Sequence, residues 1–436
     1  MLIVKTALFF SRDLFYSSYN SIIIWNRIEY SNSQNSFALR RKRNYAPTRS
    51  VPKWKRGAPK PTLSEAKPHP LARAALHRRS LLYRHSSITN CPIMKHAILT
   101  VLSTLMLLLS TSSFADDYKP GDAITPADYP SLKNPAMKFA LINKHGKPFA
   151  KDPTVVRFKG KYWMYFSLFS LDPQKTGYDL YIGVATSDDL TNWTSVGAIT
   201  PLCEGDQKGL GAPCAKVWDG KVHLFYQSYG NGPKDAIYYA TSEDGLNFKS
   251  VYPTAIFSPK GDWTNGRAID ADFIEFKGKC FLYAATRDPA GKIQKQVVAV
   301  AENRNNLAPD QWKQCDHSIL EPTLPWETRC IEAASVCERD GKLLMFYAGG
   351  YNNDPQHIGL AQSEDGVNWT RVWNVPFITN GPEGQWNSSE SGHPGVFIDP
   401  ETGKTWLFFQ GNAEHGKSWF LSRVELEWVD GLPKVK

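Results

Sequence analysis

One pattern recurs five times in this chain and constrains its fold more than any other feature. Each copy has a short alternating strand, a turn that contains glycine followed by lysine, and a second strand rich in aromatic residues. The turn glycines are Gly160, Gly220, Gly278, Gly341 and Gly403. The first strands begin at five leading positions, separated by 60, 58, 62 and 61 residues: Asp152, Ala212, Asp270, Glu332 and His393. Such regular spacing indicates a repeat architecture.

Each repeat is made of short alternating strands and polar turns, with almost no segment of helical period. A third strand is followed by a polar turn that leads to an aromatic residue, at Trp193, Phe248, Trp312 and Trp369. Four antiparallel strands repeated around an axis form a propeller, in which ring closure leaves only short edges. The sequence therefore predicts an all-β fold, a five-bladed β-propeller with four-stranded antiparallel blades.

The basic character of the chain is confined to its first part. The formal net charge is +9, but residues 1–93 contain 17 basic and three acidic residues. Residues 94–436 then hold 34 basic and 39 acidic residues, a net charge of −5. No nucleic-acid partner is therefore expected for the repeat region. The repeats also lack CxxC, HExxH and glycine-rich phosphate motifs, so no zinc, nucleotide or redox cofactor is expected.

A targeting segment precedes the repeats. Met94 and Lys95 are followed by an apolar run from Ala97 to Leu109 and by the small residues Ser113 and Ala115. This pattern is typical of a secretory signal peptide at 94–115, and the run is too short for a membrane span. We expect residues 1–93 to be a disordered extension that is not native, with translation starting at Met94. The alternatives for this segment are a transit-type leader, because it is rich in arginine and poor in acids, and a disordered basic arm. The mature protein is then a propeller at 116–436, secreted or periplasmic, without a membrane anchor.

An exported protein can oxidise its cysteines. Cys203 with Cys214, and Cys315 with Cys330, flank two loops that disulfides would close. Free buried thiols are the alternative for Cys280 and Cys337.

The five leading positions carry the chemistry. In a propeller the innermost strands run along one axis, so equivalent positions converge in a ring. Three of the five are carboxylic acids and a fourth is His393. A lone aspartate usually caps a turn, but acids in register across three blades place like charges together and split their pKa values. Glycosidic cleavage needs such a set, with one ionised base and one protonated acid.

The segments around these acids resemble the signature segments of glycoside hydrolase family 43. They read KDPTVVRFKGKYWMYFS, RAIDADFIEFKGKCFLY and CIEAASVCERDGKLLMFYAG, and the resemblance extends from about residue 140 to the end of the chain. It implies an inverting glycosidase that releases arabinofuranose or xylose from plant or algal glycans. Carried over by position, Asp152 would be the general base, Asp270 the pKa modulator and Glu332 the general acid.

The sequence departs from the family pattern after two of its acids. Ala333 and Ala334 follow Glu332 in place of Gly-Pro, and Ala271 and Asp272 follow Asp270 in place of Pro. The resemblance requires no cofactor, but it places His393 where family members often hold a histidine beside a calcium ion. In related propellers that cleave anhydrogalactose from agar oligosaccharides, a histidine takes part in acid catalysis. Both roles for His393 stay open.

Polar residues near the ends of inner strands are candidates for binding an oligosaccharide or polysaccharide substrate. With His393, they are Arg267, Arg287, Gln227, Asn352 and Glu390, followed by Gln410 and Asn412. Trp326, Tyr351 and Trp386 lie in nearby loops and are candidates for an aromatic floor.

Two other functions compete with the inverting glycosidase. A retaining fructan hydrolase would carry Asn-Asp-Pro-Asn-Gly and Arg-Asp-Pro segments, which this sequence lacks. A non-catalytic glycan-binding propeller would need aromatic and amide side chains but no acids. Retention of all three carboxylic acids favours the enzyme.

Overall fold

A computed structural model describes residues 129–436. The signal peptide at 94–115 and the extension at 1–93 lie outside the described residues. Five sheets of four antiparallel strands follow one another along the chain, and each sheet keeps sequence order from its inner to its outer strand. The five-bladed propeller predicted from the repeats is confirmed.

The five blades contain twenty strands, numbered here in chain order. Blade 1 comprises β3 (Lys151–Phe158), β4 (Lys161–Phe169), β5 (Leu180–Ser187) and β6 (Thr194–Ile199). Blade 2 comprises β7 (Leu210–Trp218), β8 (Lys221–Ser228), β9 (Ile237–Ser242) and β10 (Lys249–Ser250). Blade 3 comprises β11 (Ile269–Phe276), β12 (Lys279–Arg287), β13 (Gln294–Ala301) and β14 (Lys313–Gln314). Blade 4 comprises β15 (Ile331–Arg339), β16 (Lys342–Gly349), β17 (His357–Ser363) and β18 (Thr370–Arg371). Blade 5 comprises β19 (Glu390–Ile398), β20 (Thr405–Asn412), β21 (Phe420–Val429) and β22 (Leu432–Val435).

Other regular structure is short. A hairpin of β1 (Leu141–Ile142) and β2 (Pro148–Phe149) precedes blade 1. The described α-helices are Pro130–Lys133 and Pro173–Thr176, and 3-10 turns occupy Glu204–Asp206, Gly232–Lys234, Pro309–Gln311 and Pro325–Glu327. No helix in residues 129–436 has the length and apolar character that crossing a membrane requires.

The turns predicted from the repeats close the first hairpin of each blade. In blade 1, Lys159 and Gly160 have φ angles of 48° and 75° between the paired residues Phe158 and Lys161. Two consecutive left-handed residues match the twist of the flanking strands, which is why such turns are common in hairpins. The corresponding turns of blades 2, 3 and 4 have the same left-handed pair.

The core lies between the blades. Five clusters of buried apolar side chains each fill the gap between two neighbouring sheets. Phe248 at the outer edge of blade 2 packs edge-on against Tyr165 of blade 1, with ring centroids 5.7 Å apart. Trp369 of blade 4 packs in the same way against Tyr283 of blade 3, at 5.6 Å. The aromatic residues that mark each repeat therefore join one blade to the next.

Ring closure brings the inner strands together around the axis. Each of β3, β7, β11, β15 and β19 contacts the inner strands of both neighbouring blades. The segment before blade 1 reinforces the junction with blade 5, where Phe139 and Leu421 exchange backbone hydrogen bonds of 2.8 Å.

The two disulfides suggested by loop positions are wrong. All six cysteines between residues 129 and 436 are free thiols. Cys214 lies on an inner strand, where its Sγ donates a hydrogen bond of 3.1 Å to Asp272, and Cys330 is buried at the start of blade 4. Burial raises the pKa values of both thiols, which keeps them protonated.

Candidate active site

A bulge interrupts each inner strand near its start. The register with the second strand shifts there in all five blades. The residue at each bulge has a left-handed backbone, with φ between 42° and 54°: Asp152, Ala212, Asp270, Ala333 and His393. Side chains other than glycine rarely adopt this conformation. The ring of leading positions predicted from the repeats is thus a ring of bulges.

One member of the predicted ring is displaced by one residue. Ala333 occupies the bulge of blade 4, and Glu332 precedes it as Lys151 precedes Asp152. The sequence contained the signal, because Ala333 stands eight residues before Gly341, as Asp152 does before Gly160. Glu332 pairs with Ala348 in the strand ladder, and its longer side chain still reaches the axis.

Glutamines from neighbouring blades hold two of the strained positions. The backbone N–H of Asp152 donates to Gln410 Oε1 at 3.0 Å, and that of Asp270 donates to Gln227 Oε1 at 2.8 Å. In each case the acceptor lies on the second strand of the preceding blade. These bonds satisfy backbone donors that the bulges remove from the ladder.

His393 connects two of the predicted catalytic acids. Its Nδ1 lies 2.7 Å from Asp152 Oδ1, and its Nε2 lies 3.1 Å from Glu332 Oε1. One imidazole ring therefore lies between the two contacted oxygens and keeps the carboxylates of Asp152 and Glu332 apart.

Glu332 is enclosed by hydrogen-bond donors. Gln356 Nε2 donates to its Oε1 at 2.7 Å, and Gln294 Nε2 donates to its Oε2. The residue is only 3% exposed. With His393 it forms a fully bonded buried carboxylate, which fixes its orientation.

The acids of this cluster have pKa values that are shifted in opposite directions. Burial raises the pKa of Asp152, but His393 and Lys151 outweigh burial and lower it to about 2. Burial likewise opposes ionisation of Glu332, yet its bond to His393 and the nearby charges lower its pKa. Burial disfavours the charged form of His393, but the two carboxylates raise its pKa well above the ordinary value. The resting cluster thus contains an imidazolium between two carboxylates.

The pKa of Asp270 is raised, whereas those of Asp152 and Glu332 are lowered. Burial is the main cause that raises its pKa to about 7, and repulsion from Glu332 and Asp152 adds to burial, although His393 opposes them. The residue is 6% exposed, and its Oδ2 has no hydrogen-bond partner among the described residues. Near neutral pH, Asp270 is therefore partly protonated.

The acids open into a cavity of about 490 Å³. Four of the polar residues predicted to bind substrate line it: Arg267, Arg287, Gln227 and Asn352. His393 also lines this cavity, together with Asp152, Asp270 and Glu332. A compact polar cavity with convergent acids is the usual form of a small-ligand site.

Glu390, predicted to bind substrate, is not among the residues that line the cavity. It is completely buried and accepts hydrogen bonds from Gln410 at 2.5 Å, Asn412 at 3.2 Å and Trp419 at 3.2 Å. Gln410 in turn accepts the N–H of Asp152. Glu390 is therefore a positioning residue that acts on Asp152 through Gln410.

The aromatic floor is also different from the one predicted. Trp326 stacks on Tyr347 inside blade 4, and Trp386 donates to the carbonyl of Leu132, so both are packing residues. Tyr351 does line the cavity, as predicted. Sequence analysis missed four further aromatic residues of the lining: Phe149, Phe169, Tyr229 and Trp419.

Asp272 faces a second cavity, of about 390 Å³, along the inner strands. Its Oδ1 lies 3.2 Å from Lys216 Nζ, and its Oδ2 accepts the N–H of Val336 at 2.6 Å. The bulge between Ile269 and Asp272 breaks the alternation that would have placed Asp272 beside Asp270. Asp270 and not Asp272 therefore joins His393.

A cation could be considered only at Asp270, Glu332 and His393, whose ligand atoms lie within 4.8 Å of one another among the described residues. Calcium prefers six to eight oxygen ligands. Here the cluster supplies two carboxylates, and both nitrogens of His393 already contact carboxylates. Two carboxylates and an imidazole engaged in this way offer fewer ligand atoms than calcium prefers, so these residues do not fit the calcium site implied by the resemblance.

Comparisons with known proteins agree with the fold and with the family resemblance. The family model for glycosyl hydrolases family 43 matches residues 146–433. A thermostable family-43 glycoside hydrolase is similar in structure, with a TM-score of 0.53 and 19% identity over 66% of this chain and 92% of its own. An alpha-L-arabinofuranosidase from Lactobacillus brevis gives 0.50 and 16% identity over 71% of this chain and 97% of its own.

A beta-fructofuranosidase of family 32 from Bombyx mori is also similar, with a TM-score of 0.52 and 16% identity over 71% of this chain and 67% of its own. No curated protein sequence matches the chain. At these identities the structural similarities show the fold alone.

Proposed function

The chain belongs to glycosyl hydrolase family 43, and from this premise we propose that it is an exported inverting glycosidase that removes terminal sugars from plant or algal glycan fragments. Arabinofuranosides and xylosides are the proposed substrate types. The alpha-L-arabinofuranosidase among the structural neighbours is consistent with the first of these.

The contact of His393 with both Asp152 and Glu332 carries this proposal. The ring keeps two carboxylates apart, which an inverting enzyme requires if a water molecule is to fit between base and sugar. A retaining enzyme needs its two carboxyl groups only about 5–5.5 Å apart. The cavity of about 490 Å³ into which the acids open is consistent with binding of a terminal sugar.

Asp152 is the proposed general base. Its lowered pKa of about 2 keeps it ionised, so it can accept a proton from water while the water oxygen attacks the anomeric carbon. The bond from that carbon to the leaving oxygen breaks, and its electron pair passes to the leaving oxygen. That oxygen takes a proton from Glu332, which gives a sugar of inverted configuration.

Glu332 must gain this proton first, because its lowered pKa leaves it ionised in the free enzyme. His393 is the proposed donor, since its Nε2 lies 3.1 Å from Glu332 Oε1 and its raised pKa marks it as protonated. Asp270, with a pKa of about 7, is the proposed modulator that exchanges protons with this pair.

Cleavage of anhydrogalactose from agar oligosaccharides is the second candidate. The protonated state of His393 favours it, because an imidazolium at the cavity wall can itself act as the acid. This candidate differs from the first in its substrate and in the group that protonates the leaving oxygen.

Proton NMR of sugar release tests these proposals. The purified protein is incubated with arabinan, xylan, agar and fructan oligosaccharides, beside Asp152→Asn and Glu332→Gln. We expect one sugar to be released with inverted configuration and both variants to be nearly inactive. Release with retained configuration, or full activity in either variant, would contradict the assigned roles. If only agar oligosaccharides react and Glu332→Gln stays active, the second candidate replaces the first.

Export is proposed from the apolar run and the small residues at 97–115. N-terminal sequencing of the native protein is expected to begin at Asp116. Recovery of peptides from residues 1–93 would contradict both the cleavage site and the proposed start at Met94.

A further inference from the structure

Two cations face the cavity without a carboxylate partner. Lys151 Nζ donates to Asn352 Oδ1 at 3.0 Å. Arg287 Nε donates to Gln294 Oε1 at 2.9 Å, and its Nη2 donates to the hydroxyl of Tyr351 at 3.2 Å. All three acceptors are neutral. Among residues 129–436, neither cation forms an ion pair with a carboxylate.

Neighbouring arginines are different. Arg267 also lines the cavity, but its Nε lies 3.3 Å from Asp235 Oδ2, which neutralises it. The guanidinium of Arg329 also packs over Tyr351, 4.8 Å from the ring centroid, and its Nη2 lies 3.2 Å from Asp354 Oδ2. Lys151 and Arg287 therefore have no direct carboxylate contact, although, against the opposing effect of burial, Glu390 and the three acids act on Lys151 at longer range and raise its pKa.

The two unpaired cations share one side of the cavity. Their partners Tyr351 and Asn352 are consecutive residues, so both cations approach the same loop. The ammonium of Lys151 also lies 5.1 Å from the centroid of Trp419, whose ring lines the cavity. These residues form a positive wall with an aromatic surface beside it, which suits a sugar ring that bears a negative group.

The charge of the cavity contrasts with that of the domain. Residues 94–436 carry a net charge of −5. In the cavity, the unpaired cations and the imidazolium of His393 face the carboxylates of Asp152 and Glu332, while Asp270 is partly protonated near neutral pH. A positive wall in an acidic protein focuses the field on an anionic ligand.

We propose that the sugar bound in this cavity carries an anionic substituent, a carboxylate or a sulfate ester, which Lys151 and Arg287 receive. This inference rests on the proposed glycosidase activity, and it puts an acidic sugar in place of the neutral arabinofuranosides and xylosides as the substrate class. A neutral sugar would cover the two cations and remove their water without giving either a direct charged partner. An anion would form charge-assisted hydrogen bonds with both, and the planar guanidinium of Arg287 suits a bidentate contact.

Binding of matched monosaccharides tests the inference without requiring turnover. Galactose, galacturonate and galactose 6-sulfate, and the corresponding glucose series, differ only at carbon 6. Each is titrated into the full-length protein and followed by NMR. We expect one anionic sugar to bind at least about tenfold more tightly than its neutral parent at low ionic strength. The advantage should shrink as salt is added, and the better anion distinguishes a uronic acid from a sulfate ester.

Two substitutions localise the effect. Arg287→Gln and Lys151→Gln should each remove most of the anionic advantage, whereas Arg287→Lys should restore part of it. Arg329→Gln is the matched control, because this guanidinium contacts the same Tyr351 ring but does not line the cavity. It should keep the full advantage. Thermal unfolding of each variant separates lost binding from lost folding.

The outcomes separate this inference from the proposed function. Equal binding of neutral and anionic sugars, or an advantage that survives both glutamine variants, would overturn the inference, even if neutral oligosaccharides are hydrolysed with inversion. Anionic binding that depends on Lys151 and Arg287 would support it, even if no oligosaccharide is cleaved and the glycosidase proposal fails.

Discussion

The variant Asp270→Asn should stabilise the protein above neutral pH. A carboxyl group whose folded-state pKa exceeds its unfolded value binds more protons when folded, so stability falls as pH rises between the two values. For Asp270 that window runs from the ordinary value of 3.8 to about 7. A difference of this size corresponds to at most about 4 kcal/mol of unfolding free energy above the window. Asparagine does not ionise, so the variant escapes this loss.

Urea unfolding at about pH 4 and about pH 8 measures the effect. The free energy of unfolding of Asp270→Asn, relative to that of the unmodified protein, should increase by up to about 4 kcal/mol between the two pH values. Turnover should fall in the same variant. Asp272→Asn is the matched control, because it is equally buried but loses an ion pair with Lys216 and should be destabilised. If the free energies of unfolding of Asp270→Asn and the unmodified protein differ by the same amount at both pH values, the reasoning is refuted.

Three further predictions concern the groups around the acids. In His393→Gln the acid limb of the pH dependence of kcat/KM should move to higher pH by roughly two pH units, because Asp152 loses the neighbouring charge that lowers its pKa to about 2. The control His357→Gln removes a histidine outside the cavity and should leave the acid limb unchanged. Gly392→Ala should lower kcat and leave the fold intact. The added Cβ would lie 1.8 Å from Gln356 Oε1 and would displace the Gln356 side chain, whose Nε2 donates to Glu332. An unchanged kcat would contradict the positioning role of Gln356. Incubation with EDTA should leave turnover unchanged, since both nitrogens of His393 contact carboxylates and the cluster offers too few ligands for calcium. Loss of activity that calcium restores would contradict this prediction.

The fold could be predicted because it repeats. One weak strand signal is ambiguous, but five copies of the same strand and turn order leave few alternatives. The left-handed turns and the aromatic residues between blades follow from local sequence, as Gly160 and Phe248 illustrate. The displaced position of Glu332 could also be predicted, because in blade 4 it is Ala333 and not Glu332 that stands eight residues before the turn glycine Gly341.

The lining of the site could not be predicted in the same way. Gln294 and Gln356 come from different blades and meet at Glu332, although 62 residues separate them in the chain. No local pattern distinguishes a glutamine that holds a carboxylate from one at the surface. Glu390 shows the reverse case, since it lies beside the ring in sequence but faces Gln410 and Trp419 behind the wall.

The five bulges explain why chemistry gathers at this ring. Each left-handed residue costs on the order of 1–2 kcal/mol, and Ala212 and Ala333 bear that cost although an alanine side chain performs no chemistry. The bulge is therefore a property of the propeller, which bends each inner strand where five strands meet around the axis. Three blades place an ionisable side chain on it, Asp152, Asp270 and His393. Because the backbone strain is present in all five blades, a blade gains or loses a catalytic group at this position by a change of side chain alone.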